Sequence, residues 1–152
     1  MTIHTITHIA LRVSDLGRSL AYYRDGLGFR ETSRIEVEGG PSLQMLNAEG
    51  GLSAIFLERD GVRLELLKLI LPRGPEMKPR EQVGLGWGHI GFQVEDAETL
   101  ASHLCELGGG VVESSRYAHP ELGSKVLYVT DPDGAMIELI QLPGGMGEVF
   151  GS

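Results

Sequence analysis

The chain has 152 residues, of which 41% are hydrophobic and 22% charged, and a formal net charge of −8. That length supports one domain of ordinary size with a real core. The acidic balance argues against nucleic acid or an anionic membrane as a partner, because both call for a basic surface.

The first residues, Met1-Thr2-Ile3-His4, carry neither the basic nor the apolar segment of a signal peptide. No apolar run approaches the roughly 20 residues of a membrane span. Residues 5–13 alternate and read as a strand. Ser14-Asp15 is a helix cap. Leu16, Leu20, Tyr23 and Leu27 then recur at helical spacing until Gly26 and Gly28 end the run. Strands are expected near 30–37, 43–48 and 53–58, with glycine-rich turns between them. Asp60-Gly61 is a tight-turn signal into a further strand at 62–69.

Residues 70–88 carry Pro72, Pro75 and Pro79 among mixed charges and read as a connector. The same order of elements then returns. A strand covers 88–94, Asp96 caps a helix through Leu107, and Leu100, Leu104 and Leu107 form its apolar face. Gly108-Gly109-Gly110 ends that helix. Strands follow at 111–116, 125–130 and 135–142, the last two joined by the turn Asp131-Pro132-Asp133-Gly134. The only cysteine, Cys105, lies in the second helix. It rules out an internal disulfide, suits a reducing compartment, and is expected to be a buried spectator. The cytoplasm is the expected location.

The chain is thus an internal repeat. The expected fold is α+β, two tandem βαβββ modules: residues 1–69, a linker at 70–88, residues 89–142, and a Gly-rich tail at 143–152. His8 opens His8-Ile9-Ala10-Leu11-Arg12-Val13, and His89 opens His89-Ile90-Gly91-Phe92-Gln93-Val94. Each copy carries a Ser-Arg pair after its helix. Each closes on a strand with one acid among aliphatics, Glu65 in Arg63-Leu64-Glu65-Leu66-Leu67 and Glu138 in Met136-Ile137-Glu138-Leu139-Ile140. A lone acid in such a strand is costly to bury unless it is paired or binds a cation. Period-2 alternation puts each His and each acid on the sheet face turned away from the helix. Two such sheets facing each other make a cup-shaped, metal-containing cleft.

Two His and two carboxylates form a mixed nitrogen and oxygen set. It suits one borderline divalent ion per site, such as Ni, Zn, Co, Mn or Fe, and is unlike a thiolate structural zinc site. The expected ligands are His8, Glu65, His89 and Glu138. Such an ion polarises a carbonyl and stabilises an enediolate or enolate. Glu65 or Glu138 is the proton-moving base, and the symmetry of the repeat leaves that choice open.

The stretches His8–Leu16, Tyr22-Tyr23 with Leu27-Gly28-Phe29, Gly88–Phe92, and Asp131–Gly134 before Ile137-Glu138-Leu139 together resemble the vicinal oxygen chelate superfamily. This is the group of glyoxalase I, bleomycin-resistance proteins and extradiol dioxygenases. The order His, Glu, His, Glu at 8, 65, 89 and 138 is most similar to glyoxalase I. The resemblance implies a divalent-metal-dependent lyase or isomerase moving a proton on a small carbonyl substrate, and a homodimer. It gives Arg12 the role of binding an anionic part of the substrate. Phe56, Trp87 and Tyr128 are expected to line the pocket. Leu69 stands where glyoxalase I has an Asn, and 117–124 lacks a basic cluster, so the resemblance carries the metal and the proton transfer further than it carries the thiol part of the substrate. Two other readings stay open: a non-heme Fe(II) ring-cleaving dioxygenase, and a metal-free small-molecule or drug-binding resistance protein.

Overall fold

The computed structural model describes residues 3–40, 43, 50–71, 86–121 and 123–143. The chain divides into two units, Met1–Lys78 and Pro79–Ser152. The connector at 72–85, the tail from 144, and residues 44–48 of the strand expected near 43–48 lie outside the described residues. Leu43, at the start of that stretch, is helical and buried.

The first unit runs β1 (Ile9–Arg12), α1 (Leu16–Leu20), a π turn (Ala21–Gly26), β2 (Arg30–Glu38), β3 (Gly51–Arg59) and β4 (Val62–Ile70). Its four-stranded sheet has the order β1-β4-β3-β2. β1 runs parallel to β4 with Ala10 opposite Glu65, and the other neighbours are antiparallel. Asp15 caps α1 by accepting the Arg18 N–H at 2.8 Å. The expected single helix through Leu27 is instead α1 followed by the π turn. The Leu27 N–H reaches the Tyr22 carbonyl at 3.0 Å, five residues back. The wider turn shifts the helical register, so both Tyr22 and Tyr23 are fully buried, where 3.6-residue spacing would bury only Tyr23. Asp60 and Gly61 have φ of 51° and 77°, both in the left-handed region that a two-residue hairpin turn requires.

The second unit runs β5 (His89–Val94), α2 (Ala97–Glu106), β6 (Gly110–Val111), a 3₁₀ turn (Glu113–Ser115), β7 (Tyr117–His119), β8 (Ser124–Thr130) and β9 (Met136–Gln141). Its sheet has the order β5-β9-β8-β6, with β7 also on β8. Of the strand expected at 111–116 only Val111 is in a ladder; Glu113–Ser115 form the 3₁₀ turn, flanked by two short strands on one edge of β8. β6 pairs with Val129 and Thr130, and β7 pairs with Ser124–Val126. Ala97, Ala101 and Leu104 are the buried stripe of α2. The stripe is narrow, so Cys105 falls beside it and is exposed, contrary to expectation. No helix among the described residues is long and apolar enough to cross a membrane.

In each unit the core lies on one sheet face. Ile55, Leu57, Leu64 and Leu66 are buried in the first, and Leu127, Val129, Ile137 and Leu139 in the second. The other face of the first sheet is more apolar than its sequence suggests. Leu52, Ala54 and Leu67 cluster there with Leu43, and Phe56 and Leu69 pack against them.

Candidate metal centre

Each unit brings one His and one Glu together on the face opposite its core. In the first, His8 Nε2 lies 3.2 Å from Glu65 Oε2; in the second, His89 Nε2 lies 3.1 Å from Glu138 Oε2. The parallel pairing of the His strand with the Glu strand produces this juxtaposition. Ala10 is opposite Glu65 and Gly91 is opposite Glu138, so the His two residues earlier reaches across to the acid. The carboxylates are mostly covered, at 14% and 20% side-chain exposure, while both His rings are more than a third exposed. Within either unit, no group of three or more metal-capable side chains occurs among the described residues.

The next strand adds an aromatic residue in the same register. Phe56 pairs with Glu65 and Tyr128 with Glu138. The Phe56 ring meets His8 edge-on at 5.5 Å between centroids, and Tyr128 meets His89 at 5.2 Å. Such contacts hold each imidazole in orientation. The Tyr128 hydroxyl also donates to Glu138 Oε1 at 3.1 Å. Burial, and then the neighbouring carboxylate, push the Tyr128 phenol above its ordinary pKa, so it remains a donor. His8 Nδ1 lies 3.0 Å from the Thr7 hydroxyl. With the proton on Nδ1 and donated to Thr7, Nε2 presents a lone pair on the Glu65 side.

Sequence reasoning missed how the aromatic residues are held. In both units the strand beside them is interrupted. Pairing of β2 with β3 shifts between Glu31 and Ser33, and the Thr32 hydroxyl donates to the Phe56 carbonyl at 3.1 Å. Between β6 and β7, Ser115 Oγ accepts the Tyr128 N–H at 2.8 Å and donates to the Val112 carbonyl at 2.6 Å. The interruptions coincide with a repeated motif, Glu31-Thr32-Ser33-Arg34 and Glu113-Ser114-Ser115-Arg116. In each copy the Arg closes on the Glu three residues earlier. The arginines hold these carboxyls below their ordinary pKa. The repeated Ser-Arg pair was the signal available in the sequence.

The remaining expected residues are also placed. Arg12 is exposed at the end of β1, and its side chain makes no hydrogen bond or ion pair among the described residues. Trp87 is 77% exposed, two residues before His89. The donor set suits a divalent ion: each pair offers an imidazole nitrogen and a carboxylate oxygen side by side, and none offers a thiolate.

Residues 5–139 match the family model described as Glyoxalase/Bleomycin resistance protein/Dioxygenase superfamily. A lactoylglutathione lyase of Haemophilus influenzae is 33% identical over 139 residues, 90% of this chain and 91% of the relative. One of Neisseria meningitidis is 31% identical over 146 residues, 92% of each. The crystal structure of a glyoxalase family protein from Bacillus cereus has a TM-score of 0.78 at 18% identity, covering 95% of this chain and 97% of that one, and so shares the α+β fold. The chain belongs to the glyoxalase, bleomycin resistance protein and dioxygenase superfamily.

Proposed function

We propose that the protein is a divalent-metal-dependent lyase of the lactoylglutathione lyase type, with His8, Glu65, His89 and Glu138 as the ligands of one ion. The observation that carries this reading is the repeat of one His–Glu pair per unit, at 3.2 and 3.1 Å, each backed edge-on by an aromatic ring. Relatives above 30% identity over nine-tenths of the chain, named as such lyases, support it. A divalent ion bound there supplies positive charge that polarises a carbonyl oxygen.

The protein's own groups do the rest. One carboxylate takes the proton from the carbon bearing the hydroxyl, and the C–H electron pair moves toward the neighbouring carbonyl. The resulting carboxylic acid returns the proton to the adjacent carbon and is again a carboxylate, while the hydroxyl oxygen gives its own proton to the former carbonyl oxygen and becomes the new carbonyl. The natural first substrate to test is the hemithioacetal of a 2-oxoaldehyde and a thiol, whose rearrangement gives a 2-hydroxyacyl thioester. Arg12 meets an anionic part of the substrate, with its guanidinium unspent on any partner among the described residues. Phe56, Trp87 and Tyr128 line the pocket.

The test is metal content and turnover together. Protein purified without chelators is expected to hold near one equivalent of nickel, cobalt, zinc or manganese per site. It should convert the methylglyoxal–glutathione hemithioacetal, lose that activity in EDTA, and regain it on adding metal. Glu65→Gln and Glu138→Gln should each cost at least about 10²-fold in turnover, the scale of an acid–base role. Near-normal rates in both variants, or no metal after reconstitution, would reject the reading. Stoichiometric iron with substrate-dependent oxygen uptake would replace it with a ring-cleaving dioxygenase.

A further inference from the structure

The first unit carries two arginines on the face of its His–Glu pair, one to each side of Glu65. In the parallel pairing of β1 with β4, Ala10 lies opposite Glu65 and Arg12 opposite Leu67, so Arg12 stands two residues beyond the pair. Arg63 is two residues before Glu65 on β4, and alternation puts it on the same face. At a strand rise of about 3.3 Å per residue, the two arginine backbones are roughly 13 Å apart with Glu65 midway.

Both arginines are exposed, and neither side chain makes a hydrogen bond or ion pair among the described residues. For Arg63 this is informative, because an acid, Glu58, is its register partner between β3 and β4. Glu58 turns instead to Arg30, at 3.7 Å. Arg63 borders an open cleft of 470 Å³ whose wall also includes Thr7, His8, Ile9, Glu58 and Val62. One space therefore touches both a proposed metal ligand and an unspent guanidinium. The second unit has no counterpart. Two residues before Glu138 stands Met136, and its register partner is Thr130.

A hemithioacetal has two arms on its reacting carbons, the thiol on one side and the acyl chain on the other. Arg12 takes an anionic group on one arm, as the function proposed above has it. A second cation on the far side of Glu65 has a use when the other arm is anionic too. We propose that Arg63 is a specificity-determining residue and that the preferred substrate carries a carboxylate on its acyl arm. This rests on the lyase reading and names its substrate class, the thiol hemithioacetal of a 2-oxoaldehyde whose chain ends in a carboxylate. The planar guanidinium meets such a group with two parallel hydrogen bonds. Water in the open cleft screens part of that attraction, and the Glu58 charge subtracts from it.

The experiment compares the glutathione hemithioacetals of 4,5-dioxopentanoate, of its methyl ester, and of methylglyoxal. The readout is kcat/KM for the carboxylate relative to the ester, which differ in charge and little in length. The wild type should favour the carboxylate by about 10-fold, the scale of a charge-assisted hydrogen bond. Arg63→Gln should erase that preference, Arg63→Lys should restore part of it, and Arg63→Glu should reverse it. Arg24→Gln removes an equal charge from an exposed pair with Asp25 and should keep the wild-type preference. Binding is read separately, by calorimetry of S-(4-carboxybutyl)glutathione against S-pentylglutathione on the full-length chain. The affinity lost in Arg63→Gln should fall on the carboxylate alone. A wild type without the preference, or a preference that survives in Arg63→Gln, would overturn this assignment, while turnover of the methylglyoxal adduct would leave the lyase reading standing. No turnover of any of these adducts by the wild type would overturn both.

Discussion

Ser115 stands in for a strand partner with a single hydroxyl, accepting from Tyr128 and donating to Val112. Ser115→Ala leaves a part-buried N–H without its acceptor, a loss of about 1–3 kcal/mol. Urea unfolding should show a lower midpoint for it than for Thr32→Val, whose hydroxyl bond to Phe56 is exposed to water. Equal midpoints would mean that the backbone at 112–115 closes over the gap. The sequence displayed the repeated Ser-Arg pair but not this role, because which backbone group a hydroxyl meets depends on strand pairing. Asp96 was readable from sequence alone, since an acid before an apolar helical run has one economical use. Its carboxylate accepts the Thr99 and Glu98 N–H groups, Thr99 foremost, and is held below its ordinary 3.8. The folded pKa is depressed, so the stabilisation is complete above the unfolded value and fades as pH falls through the folded one. Asp96→Asn keeps the acceptor but not the charge. Its stability deficit should be largest near neutrality and shrink as pH is lowered past 3.8. A deficit independent of pH would show that the charge contributes nothing.

Regular elements were legible where one period ruled and illegible where the backbone departed from it. α2 follows its cap and its Ala97, Ala101, Leu104 stripe, and Leu104 is fully buried. Leu104→Ala should therefore cost about 2–5 kcal/mol, whereas Leu100→Ala, at a half-buried position, should cost clearly less; chemical denaturation of both variants checks the order. The π turn is not legible in the sequence because Leu16, Leu20, Tyr23 and Leu27 fit an ordinary helix; the Leu27 N–H bond to the Tyr22 carbonyl and the burial of Tyr22 beside Tyr23 reveal the added residue. The broken edge of β8 is illegible for a related reason. Residues 111–116 have strand-like composition, but Ser115 bends the chain into a 3₁₀ turn before β7 resumes the pairing. The broken edge lies directly on β8, the strand that carries Tyr128, where bulges commonly re-aim side chains.

The repeat was visible in the sequence as a whole and put each His and each acid on like faces of the two sheets; the setting of His8 beside Glu65 and of His89 beside Glu138 is seen only in the structure. What one dimension withheld was the inequality of the two pairs, because it lies in the single hydroxyl that separates Tyr128 from Phe56 and in the register that aims it. If both pairs ligate one ion, metal must stabilise the two units together. A ligand present at 100 times its dissociation constant adds about 2.7 kcal/mol to a state that alone can bind it. Hydrogen exchange reads this unit by unit. Added Zn²⁺ should slow exchange of the β4 amides at Val62–Ile70 and of the β9 amides at Met136–Gln141 by similar factors in the wild type. His8→Ala removes a ligand from the first unit only. It should nevertheless abolish most of the metal-induced slowing in β9, because three donors hold the ion less tightly than four. Undiminished protection of β9 in that variant would mean that His89 and Glu138 bind metal by themselves. The repeat would then be two separate half-sites, and the shared centre would have to be given up.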